Sequence, residues 1–211
     1  MGRRLPRGFY RRPSLQLAPA LLGHELVRAS DDGSIVRARI VETEAYEPDD
    51  PASHAFRGPT PRNGVMFGPA GHLYVYVAYG VHPCMNVVAD AEGIASAVLL
   101  RAAEPIAGLE AMAARRGSPP DRDLCRGPGR WSRAFDVDRV LDGADLVSGD
   151  RVWIERGSPP ERGAIVAGPR IGLAVATERP WRFCLAGSRS LSRPAGGVSR
   201  PPASAASRRS R

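Results

Sequence analysis

The segment 35–46, IVRARIVETEAY, is predicted to form a β-strand that carries two carboxylates on its apolar side. In IVRARI, aliphatic residues alternate with arginines, which is the period of a half-buried strand. The same alternation puts Glu42, Glu44 and Tyr46 on the side of Ile40. Buried carboxylates are costly unless they are paired, and a like-charged neighbour raises the pKa of a carboxylate. Either the strand bends and exposes these acids, or the acids have a chemical role.

The length of 211 residues suits one large domain or two small ones and is sufficient for a hydrophobic core. No apolar run approaches the ~20 residues that a membrane span needs, so no membrane association is expected. The arginine-rich start of the chain lacks the apolar region of a secretory signal. Cys84, Cys125 and Cys184 are scattered and odd in number, which argues against a disulfide framework and favours a cytoplasmic protein.

Metal and cofactor sites are not indicated by any spacing in the sequence. The histidines form neither H-E-x-x-H nor H-x-x-x-H, and the cysteines form no C-x-x-C pair. The sequence contains no strand–G-x-G-x-x-G–helix pattern and no G-x-x-x-x-G-K-[ST], so a nucleotide cofactor is unsupported. We therefore expect a protein with no metal and no cofactor.

The net charge of +8 comes from the two ends of the chain. Residues 1–12 contain five arginines and residues 187–211 contain six, with no acid in either, which leaves 19 arginines against 22 acids in residues 13–186. Basic ends suit an anionic polymer such as DNA or RNA, and they are equally compatible with solvated, disordered tails. The chain has no lysine, so covalent catalysis through a lysine Schiff base is excluded.

Apolar periodicity and turn residues predict a mixed architecture. A short helix is expected around Pro19–Leu22 within a helix-like segment 13–30, and another in PIAGLEAMAARRG, residues 105–117. Strands are predicted at 35–46, 73–77, 84–88 and 95–101, with short candidates in DRVWIERG, GPRIGLA and WRFCLAG. Runs of strands with helices between them favour an α+β fold with a mostly antiparallel sheet. The Gly- and Pro-rich residues 47–71 form a long loop, which is uncommon in a compact domain and often functional.

Four of the five tyrosines, Tyr46, Tyr74, Tyr76 and Tyr79, lie close together in the sequence and flank His54. Flat amphipathic rings suit a slot for a flat ligand with hydrogen-bonding edges, and nucleobases stack on such rings. An acid beside the slot could act as a general base on water. Each tyrosine could instead be an ordinary core residue. A core position is expected for Tyr74, both positions are compatible with Tyr76, and the ligand slot is expected for Tyr46. Tyr79 precedes a glycine at a predicted turn and is expected to be exposed.

Six segments of the sequence together resemble one enzyme family. In chain order they are RIVETEAY, ASHA, TPRNGVMF, GHLYVYVAYGVHPCMN, VLLRAAEP and DLCRGPGR. The sequence is similar to the alkyladenine (3-methyladenine) DNA glycosylase family of the mammalian and bacterial type over roughly residues 14 to 187. The similarity lies in the segments themselves, in their order and in the separations between them. Cys184 and His82-Pro83 depart from the family's pattern, which leaves the preference among 3-methyladenine, 7-methylguanine, hypoxanthine and ethenoadenine open.

The resemblance implies a single α+β domain with a curved, mostly antiparallel β-sheet, surrounding helices, and neither metal nor cofactor. With the composition of the ends, it divides the chain into a basic N-terminal tail (1–12), a glycosylase domain (13–187) and a disordered Ser/Pro/Arg-rich tail (188–211). The implied activity flips alkylated or deaminated purines out of duplex DNA and hydrolyses the N-glycosidic bond, which initiates base excision repair. The expected partner is double-stranded DNA with damaged purines, bound by a monomer in the bacterial cytosol at the nucleoid, without membrane contact.

The resemblance also implies roles for individual residues in the chemistry. Glu44 is similar to the general base that activates the attacking water, and Arg101 resembles the residue that holds this water. Ile171 matches a position whose backbone carbonyl contacts the water. Glu42 is expected to be structural and paired with an arginine, with catalysis as the alternative. The absence of lysine predicts a monofunctional enzyme that leaves an intact abasic site, because glycosylases that also cut the backbone commonly use an amine.

Base recognition is implied for a second set of residues. Tyr46, His54 and Tyr76 look like the walls that sandwich the extruded base. Asn86 resembles the residue that crowds the exocyclic amine of guanine and so disfavours normal guanine. Tyr79 looks like the residue that is pushed into the minor groove. A side chain that fills the vacated stack offsets part of the few kcal/mol that flipping costs.

Three other functions are compatible with parts of the sequence. A zinc-dependent base deaminase would need H-x-E and P-C-x-x-C, and the residues after Pro83-Cys84 do not supply the second cysteine. A non-catalytic damaged-DNA-binding module could share the same fold, but it would not need Glu44 and Arg101. A hydrolase of free nucleosides would not need Tyr79 or the arginine-rich ends.

Overall fold

One antiparallel sheet dominates the computed structural model, which describes residues 2–161 and 163–196. Within these residues the sheet has eight strands: β1 Glu25–Ala29, β2 Ile35–Tyr46, β3 Leu73–Ala78, β4 His82–Ala89, β5 Ser96–Ala107, β6 Val152–Glu155, β7 Ile165–Gly168 and β8 Arg182–Leu185. The α-helices of the same residues are α1 Arg7–Tyr10, α2 Ser14–Leu21, α3 Leu109–Arg116 and α4 Pro128–Ala134. Short 3₁₀ helices occur at Gly64–Phe67, Asp121–Asp123 and Arg139–Leu141. The predicted α+β class with a curved antiparallel sheet is confirmed.

Six strands follow the order β3-β4-β5-β2-β1-β6. The remaining two extend from β2, since β8 pairs with β2 and β7 pairs with β8. Along one edge β2 pairs with β5 from Arg37 to Tyr46. Along its other edge β2 changes partner, because residues 35–39 pair with β1 whereas residues 42–44 pair with β8. The sheet therefore forks within β2, at the pair of acids.

The fork coincides with two irregularities in the pairing of β2 with β5. Val41 is left out of the register on β2, and Arg101 is left out on β5. An extra residue in one strand bends that strand, increases its twist and re-aims its side chains, and such bulges are frequent next to active sites. The bulge at Val41 therefore resets the alternation along β2.

The bulge overturns the prediction that the acids and the tyrosine of β2 share a side with Ile40. Beyond the bulge, Thr43 Oγ1 donates to the carbonyl oxygen of Ala18 in α2 at 2.9 Å, and Ala45 belongs to the main core. Successive side chains of a strand point to opposite faces. Glu42, Glu44 and Tyr46 consequently lie on the face of the sheet that points away from α2.

The two faces of the sheet differ in what covers them. One face packs against α2, α3 and α4 and forms the main core, where burial of each aliphatic side chain contributes about 1.5–3 kcal/mol. The core residues of the central strands include Leu73, Val75, Met85, Val87, Val98 and Leu100. The residues between them point to the other face and include Tyr74, Tyr76, Cys84, Asn86, Ala97 and Leu99. The second face carries most of the residues that the sequence predicted to be functional.

A three-residue turn joins β3 to β4 and projects from the sheet. Ala78 pairs with His82, so Tyr79, Gly80 and Val81 form the turn. Tyr79 has a φ of 51° and Gly80 a φ of 72°, and this left-handed backbone is unusual for a residue with a side chain. The predicted turn is confirmed at this position.

The first twelve residues, predicted as a basic tail, lie against the sheet instead. The backbone N–H of Leu5 donates to the carbonyl oxygen of Ile154 at 2.9 Å, and both Leu5 and Tyr10 are fully buried. Arg7 forms an ion pair with Asp145 at 2.6 Å. The aliphatic and aromatic side chains between the arginines therefore attach residues 2–12 to the domain. At the other end of the chain, the packed structure continues past residue 187, since residues 188–196 lie on the sheet. The rest of the predicted tail, residues 197–211, lies outside the described residues.

Three predicted elements differ from the structure. In the segment 13–30, which was predicted to be helix-like, helix α2 ends at Leu21 and the last part forms strand β1. The helix predicted to start at Pro105 starts at Leu109, because β5 stays paired with β2 up to Ala107. GPRIGLA is not a strand, since the N–H of Ile171 donates to a side chain and no ladder forms there. None of the α-helices in the described residues is long and apolar enough to cross a membrane.

Candidate active site

Two adjoining cavities open on the face of the sheet opposite the helices. The inner cavity encloses about 70 Å³, and its lining includes Tyr46, His54, Met66, Tyr74, Tyr76 and Asn86. The outer cleft encloses about 540 Å³, and its lining includes Tyr46, Tyr76, Tyr79, Arg101, Ile171 and Leu173. Seven of the eight predicted site residues therefore line these two cavities. The eighth, Glu44, is fully buried beneath them.

The inner cavity is walled by aromatic rings that contact one another, edge to face between His54 and Tyr76 and tilted by 30° between Tyr74 and Tyr76. The ring centroids of His54 and Tyr76 are 4.4 Å apart with an interplanar angle of 80°, and those of Tyr74 and Tyr76 are 5.8 Å apart. His54 Nδ1 lies 3.0 Å from the hydroxyl of Tyr74. Burial lowers the pKa of His54, and the charge of Arg62 lowers it further. The imidazole is therefore neutral at neutral pH. Tyr74, which the sequence predicted as core, is buried and lines the cavity as well.

The loop that carries His54 is fixed by Asn63, to which the sequence pattern gave no role. Asn63 is buried, and its Nδ2 donates to the carbonyl oxygens of His54 at 2.9 Å and Gly58 at 3.1 Å. Its Oδ1 accepts from the N–H of Thr60 at 2.6 Å. One side-chain amide thus holds three points of the long loop, so the loop presents His54 to the cavity in one position.

The wall formed by Tyr46 is supported from behind by Arg170. The guanidinium carbon of Arg170 lies 4.6 Å from the ring centroid of Tyr46 and 5.1 Å from that of Trp181. Arg170 donates to the carbonyl oxygen of Ala45 at 2.9 Å and forms a bidentate ion pair with Asp50, and both side chains of the pair are fully buried. Sequence reasoning missed this support because nothing local connects residues 120 positions apart.

Glu44 contacts residues that line the cavities and is surrounded by hydrogen-bond donors. The N–H of Ile171 donates to its Oε1 at 2.8 Å, and the hydroxyl of Tyr46 donates to its Oε2 at 3.0 Å. Arg101 Nε lies 3.4 Å from Oε1. Burial raises the pKa of Glu44, and the charge of Arg101 and the two hydrogen bonds act in the opposite direction. The carboxyl is therefore poised to exchange a proton closer to neutral pH than an exposed glutamate would.

Glu42 is buried beside Glu44 but has a different set of partners. Arg182 Nε donates to its Oε1 at 2.5 Å, so the predicted pairing with an arginine is confirmed. The N–H of Ser192 donates to Oε2 at 2.6 Å, and the hydroxyl of Ser192 donates to Oε1 at 2.8 Å. Arg101 Nε lies 3.4 Å from Glu42 as well. Arg101 thus lies between the two carboxylates and offsets their mutual repulsion.

Tyr79 lines the outer cleft and is 88% exposed. Val81, in the same turn, is 69% exposed. The cleft extends from this turn to Arg101 and Ile171, which both contact Glu44. One continuous surface therefore connects the exposed ring of Tyr79 with two residues that hold the buried acid.

No three His, Cys, Asp or Glu side chains among the described residues form a group that could hold a metal ion. The expectation of a protein without a metal or cofactor stays a prediction. The polar side chains of the site bind one another, as the bonds from Arg182 to Glu42 and from Tyr46 to Glu44 illustrate.

Comparison with known proteins assigns the family. The family described as Methylpurine-DNA glycosylase matches residues 8–189 of the sequence. The chain belongs to this family. A protein from Rhodopseudomonas palustris is 47% identical over 194 residues, which cover 92% of this chain and 90% of the relative. Relatives from Agrobacterium fabrum (50% over 189 residues, 90% of this chain and 92% of the relative) and Streptomyces avermitilis (50% over 184 residues, 85% and 86%) are similar to the same degree.

All three relatives carry the name "Putative 3-methyladenine DNA glycosylase". The resemblance that six short segments indicated is thus confirmed over most of the chain. The match to the methylpurine-DNA glycosylase family includes every predicted site residue, from Glu44 to Ile171. It ends before Ser192, which contacts Glu42 from outside the matched range.

Proposed function

We propose that this protein is a DNA glycosylase that removes alkylated or deaminated purines from duplex DNA and thereby initiates base excision repair. The observation that carries the proposal is the single cleft that joins the exposed ring of Tyr79 to the surroundings of buried Glu44. The inner cavity, with its aromatic walls, suits a flat heterocycle such as a purine base. The acid beside it suits hydrolysis at the sugar.

The damaged base must leave the duplex to reach the cavity. Flipping costs a few kcal/mol, and less for a damaged base that stacks or pairs poorly. In the proposal, Tyr79 enters the gap in the stack and offsets part of this cost. Tyr46, His54 and Tyr76 contact the flipped base. Asn86 lines the inner cavity, its Nδ2 donates to the carbonyl oxygen of Tyr74 at 3.2 Å, and in the proposal it restricts the groups that the base can carry.

The reaction is hydrolysis of the bond between C1′ of the deoxyribose and the purine nitrogen. The water oxygen bonds to C1′, the electron pair of the glycosidic bond leaves with the base, and Glu44 accepts a proton from the water. The transition state resembles an oxocarbenium ion, which the carboxylate of Glu44 also stabilises. A cationic base such as 3-methyladenine leaves as a neutral molecule, whereas a neutral base such as hypoxanthine requires protonation. Arg101 and the backbone of Ile171 hold the water beside the acid.

The test is base release from duplex oligonucleotides that each carry one lesion. We expect an alkali-labile abasic site at 3-methyladenine or hypoxanthine, with no strand cleavage before alkali because the chain has no lysine. A protein that binds these duplexes but releases no base from any of them would be a damage-binding module. Strand cleavage by the pure protein without alkali or heat would contradict a monofunctional enzyme. Gel filtration with and without the duplex checks the further proposal of a monomer.

The pH dependence of base release is expected to follow the ionisation of Glu44. Protonated Glu44 cannot accept a proton, so the rate falls at low pH. Burial raises the pKa of Glu44, so the midpoint of this fall is expected above the ordinary glutamate value of about 4.3. Single-turnover release of 7-methylguanine measures it, because this cationic base leaves without an added proton. A midpoint at or below the ordinary value would contradict the role of Glu44 as base.

Removal of the Tyr79 ring is expected to weaken binding of a lesion duplex. Stacking on an aromatic side chain contributes about 1–3 kcal/mol per base, so Tyr79→Ala should lower the affinity by roughly 5- to 150-fold. The melting temperature should not fall, because the side chain is 88% exposed. Tyr79→Phe keeps the ring and serves as the control, with affinity close to that of the wild type. Equal affinities of the Ala and Phe variants would exclude insertion of this ring.

A further inference from the structure

The C-terminal strap, residues 188–196, returns to the buried acids. Sequence composition predicted disorder here, yet Ser190 and Leu191 are buried. Arg126 Nε donates to the carbonyl oxygen of Leu191 at 2.8 Å, and Arg182 Nη2 donates to that of Arg193 at 2.7 Å. These backbone contacts fix the path of the strap independently of its own side chains. The strap thus brings a side chain from beyond the family match into the site.

Ser192 is the residue of the strap that reaches the acids, and its hydroxyl lies between Arg101 and Glu42. Arg101 Nε donates to Ser192 Oγ at 3.0 Å, and Ser192 Oγ donates to Glu42 Oε1 at 2.8 Å. The hydroxyl can do both because it has one hydrogen to donate and lone pairs to accept. The chain of hydrogen bonds therefore runs from the guanidinium through the hydroxyl to the carboxylate.

This arrangement determines which of the nitrogens of Arg101 remain available. The Nε of an arginine carries a single hydrogen, and Ser192 accepts it. Nε lies 3.4 Å from Oε1 of Glu42 and 3.4 Å from Oε1 of Glu44, so without the hydroxyl it could turn to either carboxylate. Among the described residues, neither Nη nitrogen has a hydrogen-bond partner, and Arg101 lines the outer cleft.

We propose that Ser192 is a positioning residue, which holds Arg101 midway between Glu42 and Glu44 and leaves its terminal nitrogens free to face the substrate. The inference rests on the proposed glycosylase activity. Ser192 does not touch the substrate and acts through Arg101. If the hydroxyl is removed, Oε1 of Glu42 loses a donor whereas Glu44 keeps both of its own, so Nε of Arg101 turns toward Glu42 and the guanidinium moves away from Glu44.

The ionisation of Glu44 reports on this position. The charged or titratable groups that face Glu44 are Arg101, Glu42 and Tyr46, together with Tyr76, Cys184 and Arg182, the cross-strand neighbour of Glu44. The charge of Arg101 lowers the pKa of Glu44, and Glu42 raises it. Withdrawal of Arg101 toward Glu42 should therefore raise the pKa of Glu44. The acid side of the pH–rate profile moves to higher pH as a result, a change that a loss of packing alone would not produce.

The experiment compares Ser192→Val with Ser192→Thr in the full-length chain. The two side chains have nearly the same shape and differ by the hydroxyl, so any defect in packing is common to both. Ser188→Ala is the control within the strap, because Ser188 Oγ donates to Glu104 Oε1 at 2.6 Å and its partners include neither Glu42 nor Arg101. Single-turnover release of 7-methylguanine is measured against pH, with affinity for the duplex measured in parallel.

The Val variant is expected to shift the acid midpoint upward by about one pH unit, so that its rate at low pH falls about tenfold. The Thr variant and Ser188→Ala should retain the wild-type midpoint. Equal midpoints for the Val variant, the Thr variant and the wild type would overturn the positioning role while leaving the glycosylase activity established. Absence of base release from the wild type would overturn the proposed function itself.

Discussion

Glu44→Gln is expected to lower the rate of base release by about 10²- to 10⁴-fold and to leave the affinity for a lesion duplex nearly unchanged. Glutamine keeps the shape of the side chain and an oxygen that can accept from the N–H of Ile171. It cannot accept a proton from water. Stability at neutral pH should not fall. Burial raises the pKa of Glu44 in the folded state, so its ionisation works against folding as the pH rises above the unfolded value.

Glu42→Gln is the matched control, because it makes the same chemical change two residues away. Glu42 is buried against Arg182, and removal of one partner of a buried pair costs about 3–5 kcal/mol. This variant should therefore lose stability but retain base release at neutral pH in its folded fraction, because glutamine keeps an oxygen that can accept from the hydroxyl of Ser192. Single-turnover rates, duplex affinity and urea unfolding of the two variants distinguish the cases. A Glu44→Gln enzyme with a rate within tenfold of the wild type would contradict the proposed base.

Much of the site was predictable because its residues alternate along regular strands. On β3 and β4, alternate positions place Tyr76 and Asn86 on one face, and the long loop returns His54 to it. Tyr79 was predictable because a glycine marks the turn between the two strands. Local sequence determines these features, and period-2 alternation is a property of the strand itself.

The position of the acids was not predictable from alternation. A bulge depends on how two strands pair, and Val41 and Arg101 have no local signature that marks them as unpaired. Alternation placed Glu44 on the side of Ile40, which the structure shows to be the face of the helices, and the bulge places it on the face of the cavities. The resemblance to a known family identified the residue, whereas the periodicity assigned its face incorrectly.

Composition was misleading at both ends of the chain for a related reason. Residues 1–12 and 188–211 were predicted to be solvated, but within the described parts of these segments, 2–12 and 188–196, a few apolar side chains are sufficient to attach them. Leu5 and Tyr10 attach the first residues, and Leu191 attaches the C-terminal strap. Ser192 lies 150 positions from Glu42, so its contact follows only from the fold.

Asp50→Ala is expected to destabilise the protein by about 3–5 kcal/mol, which is a large part of the 5–15 kcal/mol typical of a folded domain. Asp50 and Arg170 are both fully buried, and the substitution leaves the guanidinium without its bidentate partner. Arg179, whose side chain is 27% exposed, also lies 3.7 Å from Asp50 but can reach solvent. Urea unfolding measures the loss. A midpoint equal to that of the wild type would show that the pair does not contribute to stability.

The double variant Asp50→Leu with Arg170→Met separates stability from function. Replacement of both partners by apolar side chains removes the two fully buried charges and leaves only the partly exposed Arg179 without its carboxylate neighbour, so most of the lost stability should return. The ring of Tyr46, however, loses the guanidinium that packs behind it at 4.6 Å. Base release should therefore remain below that of the wild type even in a stable protein, because the wall of the cavity and the hydroxyl that binds Glu44 are no longer held. A stable double variant with full activity would show that Arg170 supports the fold alone and that Tyr46 keeps its position without it.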